Sequence, residues 1–428
     1  MHHNKISLRT AILLNINIMV GSGILIGPSR IAAVAGNASF LTWMLVAVLM
    51  LPLVLCTVQL SRMLPGCGGF YAYAKAGINT AAGFTSGWLY VMGYIFTVAV
   101  DILALKSMIL VALGDTWLTA YPPLFYCIMM CAFILFNLLG LRILSKILDS
   151  LTVAKVLPII ILIMLLPFVI NANFSVAWHE VSLVPLSFTF AIFGFFGFEA
   201  CCSVSHLIEN SEKNAPRAIL FGFLITAIVY TLFHFGLLQV MGADNLVKYG
   251  APAFVNFLQV PIPYVTSLLM LLVPVASILA ILAGSNGILN ANAIMLHSMA
   301  QEGTFRGAHL LTPVTPSGRP WATLLVQGLI VISILLSMPY IDLVGGLSVL
   351  SVFLAFILPL VSLLIIQHNK RRFHYMPLTL VALMSVIGLA CYSWYLLGSN
   401  LGERMLYSLP LIGVMAIGYM LYVGDRSK

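Results

Sequence analysis

Asn17-Ile-Met-Val-Gly21-Ser22-Gly23-Ile24 sets two glycines and a serine in the middle of the first long apolar stretch of the chain. A helix in lipid has no water to satisfy its backbone. A small-residue break at mid-depth therefore survives only inside protein or beside a cavity. The same interruption recurs in Phe193-Gly194-Phe195-Phe196-Gly197-Phe198-Glu199. Interrupted apolar segments at corresponding places in two halves of a chain mark the binding site of a secondary transporter.

Composition agrees with a membrane protein. Charged residues make up 7% and apolar residues 61% of the 428, and mean hydropathy is +1.08. Soluble domains carry roughly 25% charge. Twelve apolar stretches are long enough to span a bilayer core, near 10–33, 39–61, 84–112, 122–140, 149–170, 184–207, 217–241, 263–299, 321–338, 341–367, 376–397 and 405–423. The eighth is too long for one perpendicular span, which predicts a tilted helix continuing into a cytoplasmic extension.

Orientation follows from the basic residues. With both termini in the cytoplasm, inner loops and tails hold fifteen lysines and arginines: Lys5, Arg9, Arg62, Lys75, Arg142, Lys146, Lys213, Arg217, Arg306, Arg319, Lys370, Arg371, Arg372, Arg426 and Lys428. The outer loops hold three, Arg30, Lys248 and Arg404. That asymmetry is the positive-inside bias. The net charge of +8 is thereby explained by anionic lipid, with no nucleic acid required.

No cleavable signal is expected, because the first apolar run is too long for a signal core. Six cysteines (Cys56, Cys127, Cys131, Cys201, Cys202 and Cys391) fall in expected spans and Cys67 in an inner loop. None has metal-ligand spacing with histidine, so they read as small core residues, and neither metal nor cofactor is expected. The whole chain, 1–428, reads as one integral membrane domain. It divides as residues 10–170, residues 184–367, and two closing helices over 376–423. The breaks fall in segments 1 and 6. An odd number of spans separates them, so the two groups of five have opposite topology: a 5+5 inverted repeat with discontinuous helices 1 and 6 and two peripheral helices.

Specific motifs sharpen this. Gly21-Ser22-Gly23-Ile24 with Pro28 resembles the GSGIF…P signature of helix 1 in the amino acid–polyamine–organocation (APC) family of permeases. Pro65-Gly66-Cys67-Gly68-Gly69-Phe70-Tyr71-Ala72-Tyr73 resembles its P-x-x-GG-x-Y-x-Y loop, and Gly83-Phe84-Thr85-Ser86-Gly87-Trp88-Leu89-Tyr90 its GF-x-x-GW-x-Y stretch. Gly197-Phe198-Glu199 with Glu209-Asn210 and Asn214-Ala215-Pro216-Arg217 is similar to the GFE…E…NP-x-R region. Ala300-Gln301-Glu302-Gly303 and Gly318-Arg319-Pro320 echo elements after helix 8. The resemblance implies an all-α membrane protein with the leucine-transporter-like fold, in which helices 1, 2, 6 and 7 rock against helices 3, 4, 8 and 9. The chain departs from the family in lacking the arginine usual near the end of helix 8, within Asn292-Ala293-Ile294-Met295-Leu296.

The breaks predict the chemistry of the site. In segment 1 the outer half-helix starts around Ser22–Ile24 with unpaired amides and a positive dipole end, suited to a carboxylate. In segment 6 the first half ends near Ile192–Gly194 with unpaired carbonyls, suited to an ammonium group. Val20, Gly21, Ser22, Gly23, Ile24, Ile192, Phe193, Gly194, Phe196 and Gly197 are the substrate-binding candidates, Phe193 matching a gating aromatic of the family. The alternative reading is that the glycines only permit close helix packing.

Asp101, Lys106, Lys155 and Glu199 are ionisable residues inside expected spans, which are functional candidates because an intramembrane charge is costly. In sodium-coupled relatives of this fold a cation sits between helices 1, 5 and 8, and proton-coupled members place a helix 5 lysine there. Lys155 resembles that lysine, with carbonyls around Val20–Gly21 and the hydroxyl of Ser285 as its expected partners. Snorkelling to the inner interface is the alternative for Lys155. Glu199 either titrates during transport or holds the loosened backbone. Asp101 is expected to meet another helix, Lys106 to reach the outer interface, and His234 and His297 to be satisfied core or interface residues.

The sequence contains no H-E-x-x-H, no G-x-S-x-G and no P-loop, so no enzyme is expected. The reading is an inner-membrane amino acid permease working by alternating access, proton-coupled and taking neutral substrates. Its partners are an amino acid, a proton and the lipid bilayer, and it is a monomer or homodimer. An exchanger of amino acids or polyamines in the same family is the alternative.

Overall fold

The computed structural model describes residues 5–66, 68–114, 120–139, 141–258 and 263–423. Cys67 and the tail residues Arg426 and Lys428 lie outside them. The described chain is helical, with two isolated bridges and no strand. The principal helices are α1 (Leu8–Met19), α2 (Ser22–Ala35), α3 (Phe40–Met63), α4 (Gly69–Gly77), α5 (Thr80–Leu113), α6 (Pro122–Asn137), α7 (Leu141–Val169) and α8 (Trp178–Leu183). They continue with α9 (Phe188–Phe195), α10 (Ala200–Ser203), α11 (Ser211–Tyr249), α12 (Pro263–Gln301), α13 (Trp321–Ser337), α14 (Ile341–Asn369), α15 (Met376–Leu396) and α16 (Leu401–Leu421).

Among the described residues, nine helical segments are long and apolar enough to cross a membrane, α2 and α3 counting as one run. Three further apolar helices, α1, α6 and α13, are shorter. The protein is a multi-pass membrane protein. Starts follow the local chemistry: Asn79 Oδ1 accepts the Ala82 amide at 2.8 Å ahead of α5, and Asn400 Oδ1 accepts the Glu403 amide at 2.9 Å ahead of α16. The long α12 is continuous over 39 residues, as its apolar length foretold.

Burial orders the helices. The apolar stretch of α5 is enclosed on all sides by α14, α12, α13, α4 and α2, whereas α16 lies at the rim. The chain ends are tied to loops that share one face. The Ile6 amide donates to Leu207 O at 2.8 Å, and the Arg306 amide donates to Leu421 O at 2.7 Å. The Gly66 amide reaches Ser205 Oγ at 3.2 Å and links the α3–α4 turn to the same face.

Arg319 shows how that face is built. Its guanidinium is buried and donates to the carbonyl of Asn137, the last residue of α6, at 3.0 Å and to Asn290 Oδ1 at 2.8 Å. A cation at a helix C-terminus answers both the orphan carbonyls and the negative dipole end. Burial pushes Arg319 down to about 10, which leaves it charged at neutral pH.

A candidate substrate site at two facing helix breaks

The first break is a change of backbone direction at Val20 (φ −77°, ψ 75°) and Gly21 (φ −124°, ψ −139°), between α1 and α2. Gly21 caps α2 without a side chain to cover the first amides, Ser22 to Ile24. The carbonyls at the end of α1 find partners from elsewhere. Tyr230 Oη donates to Met19 O at 2.5 Å, and Lys155 Nζ donates to Asn17 O at 2.6 Å. Lys155 was expected on the carbonyls of Val20–Gly21 and on Ser285; the structure sets it three residues earlier, on Asn17. The reason is geometric, because the terminal carbonyls of α1 form its negative end while Val20 and Gly21 already turn away.

The second break lies between α9 and α10. The first half ends at Phe195, one residue beyond the expected Ile192–Gly194, because Phe196 is the first extended residue (φ −63°, ψ 141°). Gly197 follows at φ +102°, a conformation open to glycine, with Ile18 packed where a Cβ would stand.

The breaks cross. A Cβ on Gly23 would meet Gly194 Cα at 2.6 Å, so the two backbones touch there. α2 packs on α9 and α1 packs on α10, so the half after one break meets the half before the other. Trp43 wedges against both: a Cβ on Gly27 would meet its ring at 3.2 Å and one on Gly194 at 2.8 Å. The indole Nε1–H donates to His234 Nδ1 at 2.8 Å, and His234 Nε2 pairs with Ser39 Oγ at 3.0 Å. His234 is thus a satisfied core residue, and the half-buried His297 is satisfied too, its Nδ1 pairing with Leu311 O. The close-packing reading of the glycines therefore holds for Gly23 and Gly194, alongside whatever their amides bind.

Three buried ionisable side chains surround the crossing. Asp101 accepts from Ser22 Oγ and, at 2.7 Å, from Ser285 Oγ. Ser285 therefore serves Asp101 from α12, where Lys155 was the expected partner. Lys155 and Asp101 make no direct ion pair; among the described residues the ion pairs are Arg30–Asp342 and Lys75–Glu302. Asn17 Nδ2 donates to Ala283 O at 2.9 Å and Thr152 Oγ1 to Asn17 Oδ1 at 3.1 Å, so α1, α7 and α12 meet around the lysine. Glu199 Oε1 accepts from Tyr94 Oη and, at 3.0 Å, from Tyr90 Oη, which fastens the second break to α5. Lys106 lies apart, half-buried, its ammonium 6.0 Å from the Tyr126 ring centre.

A cavity of about 740 Å³ leads from this crossing. Ser22, Gly23 and Val100 line its floor, Phe190, Phe193 and Val349 its walls. At its far end Arg30 and Asp342 form an ion pair at 2.7 Å. Of the sequence candidates, Ser22, Gly23 and Phe193 line this space. Val20, Gly21, Ile24, Ile192, Gly194, Phe196 and Gly197 are buried and do not line it, and neither do Lys155, Glu199 and Ser285. The Arg30–Asp342 pair and the clamp of Trp43, Tyr230 and His234 escaped the sequence reading, since pairing across 312 residues leaves no local signal.

Comparison with known proteins agrees with this architecture. A family model described as amino acid permease matches residues 6–417. The chain is 24% identical to the serine/threonine exchanger SteT of Bacillus subtilis (strain 168), over 99% of this chain and 97% of the relative. It is 27% identical to the putrescine transporter PotE of Escherichia coli (strain K12), over 98% and 95%. It is 23% identical to an aspartate-proton symporter of B. subtilis (strain 168), over 71% of this chain and 61% of the relative. With the family match running from the first bridge to the last helix, the chain belongs to the amino acid permease family of APC transporters.

Proposed function

We propose that this protein carries neutral α-amino acids across the cytoplasmic membrane by alternating access, coupled to protons. The observation that carries the reading is the meeting of the two breaks at Gly23, which lines the cavity, and Gly194, packed against it. The uncovered amides of Ser22, Gly23 and Ile24 suit the α-carboxylate, and the carbonyl end of α9 suits the α-ammonium. The cavity beyond is walled by Phe190, Phe193 and Val349, and its charged lining residues are paired to each other. An apolar side chain fits such walls; a cationic one would need a free carboxylate there.

The full proposed architecture is twelve spans in a 5+5 inverted repeat plus two, with both termini cytoplasmic. The antiparallel packing of the two broken helices supports it. The Arg30–Asp342 end of the cavity then faces outward, and the Lys75–Glu302 pair closes the inner side. Lys155 is the proposed proton site: its ammonium sits on the last turn of α1, directly before the break, where a gain or loss of charge acts on the half-helix. Exchange is the second reading, favoured by the similarity to SteT, a serine/threonine exchanger.

A thermal-shift screen of the twenty amino acids and common polyamines tests the substrate class, because a ligand at 100 times its Kd adds about 2.7 kcal/mol. Uptake of the scored amino acids into proteoliposomes should need no sodium and should rise with an inward proton gradient. Lys155→Ala should lose gradient-driven accumulation while retaining exchange. Strict sodium dependence of the wild type overturns the Lys155 assignment.

A further inference from the structure

Asp101 is one of two buried carboxyls among the described residues, and the coupling scheme above makes no use of it. It is held one side chain away from the first residue of α2, through the Ser22 hydroxyl. A substrate carboxylate on the Ser22–Ile24 amides would therefore lie beside it. We infer that Asp101 is ionised in the substrate-free protein and takes up one proton from solvent when the substrate carboxylate docks.

The hydrogen-bond geometry accommodates both states. Ser285 Oγ lies 2.7 Å from Asp101 Oδ2 and 2.9 Å from Ile281 O, yet a hydroxyl has one hydrogen to donate. With Asp101 ionised, Ser285 gives that hydrogen to the carboxylate. With Asp101 protonated, the new O–H donates to Ser285 Oγ, and Ser285 turns its own hydrogen to Ile281 O. Proton uptake forms one O–H bond, breaks none in the protein, and strands neither partner.

Charge gives the direction. The groups facing Asp101 are the hydroxyls of Ser22 on α2 and Ser285 on α12, and the cation acting on it is Lys155 on α7. On its own helix, Lys106 lies apart beside Tyr126. The charged residue of α14 in this region, Asp342, is held by Arg30 of α2 at the cavity mouth. Charged Lys155 and ionised Asp101 sum to zero in the free site. A substrate carboxylate at the same helix end stands beside the buried Asp101, while the substrate's ammonium lies at the carbonyl end of α9, and two adjacent carboxylates resist both staying ionised. Protonation of Asp101 removes that repulsion and leaves the α2 amides to the substrate carboxylate.

This inference rests on the carboxylate site proposed above, and the tests separate the two. The purified full-length protein is titrated calorimetrically with each amino acid scored in the thermal-shift screen, in two buffers of different ionisation enthalpy. The wild type should take up close to one proton per substrate. Its Kd should rise about tenfold per pH unit through the window in which free Asp101 is ionised. Asp101→Asn should bind without proton uptake and with a flat pH dependence. Unchanged proton uptake in Asp101→Asn overturns the inference, and so does loss of binding at every pH by a folded variant, which would make Asp101 a direct ligand. An infrared titration of Glu199→Gln, where Asp101 is the remaining buried carboxyl among the described residues, needs neither substrate nor the Asp101 variant. A protonated-carboxyl band should be absent at neutral pH and appear on acidification; a band already present at neutral pH overturns the inference. Should no amino acid bind, the transport reading fails, and the infrared result still decides the state of Asp101.

Discussion

Gly23 and Gly194 touch backbone to backbone at the centre of the molecule, with room for no side chain between them: a Cβ on Gly23 would lie 2.6 Å from Gly194 Cα and 3.2 Å from its nitrogen. Each belongs to a different broken helix. The contact therefore fixes the relative height of the two breaks and, with it, the separation of the amide end of α2 from the carbonyl end of α9.

Gly23→Ala follows directly. The new methyl meets backbone, which cannot rotate away, so α2 and α9 must part. Overpacking of this kind costs about 1–3 kcal/mol. The expected result is a lowered melting temperature together with weakened substrate binding. Gly21→Ala is the control, since a Cβ there meets nothing closer than Ile18 O at 3.6 Å. Equal melting temperatures for Gly23→Ala and the wild type would contradict the crossing.

How much of this was readable beforehand depends on the range of the interaction. The breaks were legible because Gly21-Ser22-Gly23 and Gly194–Gly197 interrupt runs that are otherwise continuously apolar. The buried Lys155 was legible for the same reason, a charge where lipid or core should be. Its partner was not, because which carbonyl of α1 it meets depends on where the helix ends to within one turn. Ser285 was assigned to Lys155 and belongs to Asp101, since helix rotation decides between neighbours and apolar periodicity is uninformative in a helix buried all round. Arg30 was read as an outer-loop charge and Asp342 drew no reading, and only the fold brings them together.

Tyr230→Phe isolates the clamp on the first break. The hydroxyl donates to Met19 O at 2.5 Å, and Met19 is the last residue of α1. Phenylalanine keeps the ring against Trp43, whose centre is 4.8 Å away, and removes one donor. The buried carbonyl then keeps only the bond from the Gly21 amide at 2.8 Å. Loss of the hydrogen bond should cost about 1–3 kcal/mol. Thermal unfolding should register that loss, and substrate affinity should fall in parallel because Met19 and Ser22 flank the same break. An unchanged affinity alongside lowered stability would reduce Tyr230 to a packing role.

Glu199 holds the other break, and its surroundings speak against a switching role. Tyr90 and Tyr94 both donate to Oε1, which leaves Oε2 buried without a partner. A neutral carboxyl differs from a carboxylate by one donor, and a proton on Oε2 would find no acceptor among the described residues. Protonation therefore forms no new hydrogen bond that could move α10. Glu199→Gln keeps the carbonyl acceptor for both tyrosines and places an amide group where Oε2 stands. The variant should bind substrate and transport more slowly, since its NH₂ is buried unpaired at a cost of about 1–3 kcal/mol. Its transport-versus-pH curve, scaled for the lost rate, should overlay that of the wild type. A flattened curve would instead put Glu199 on the proton path, because only a group that titrates during the cycle can take its pH dependence with it when neutralised. Lys155→Ala should show a different pattern, with gradient-driven accumulation lost and exchange retained.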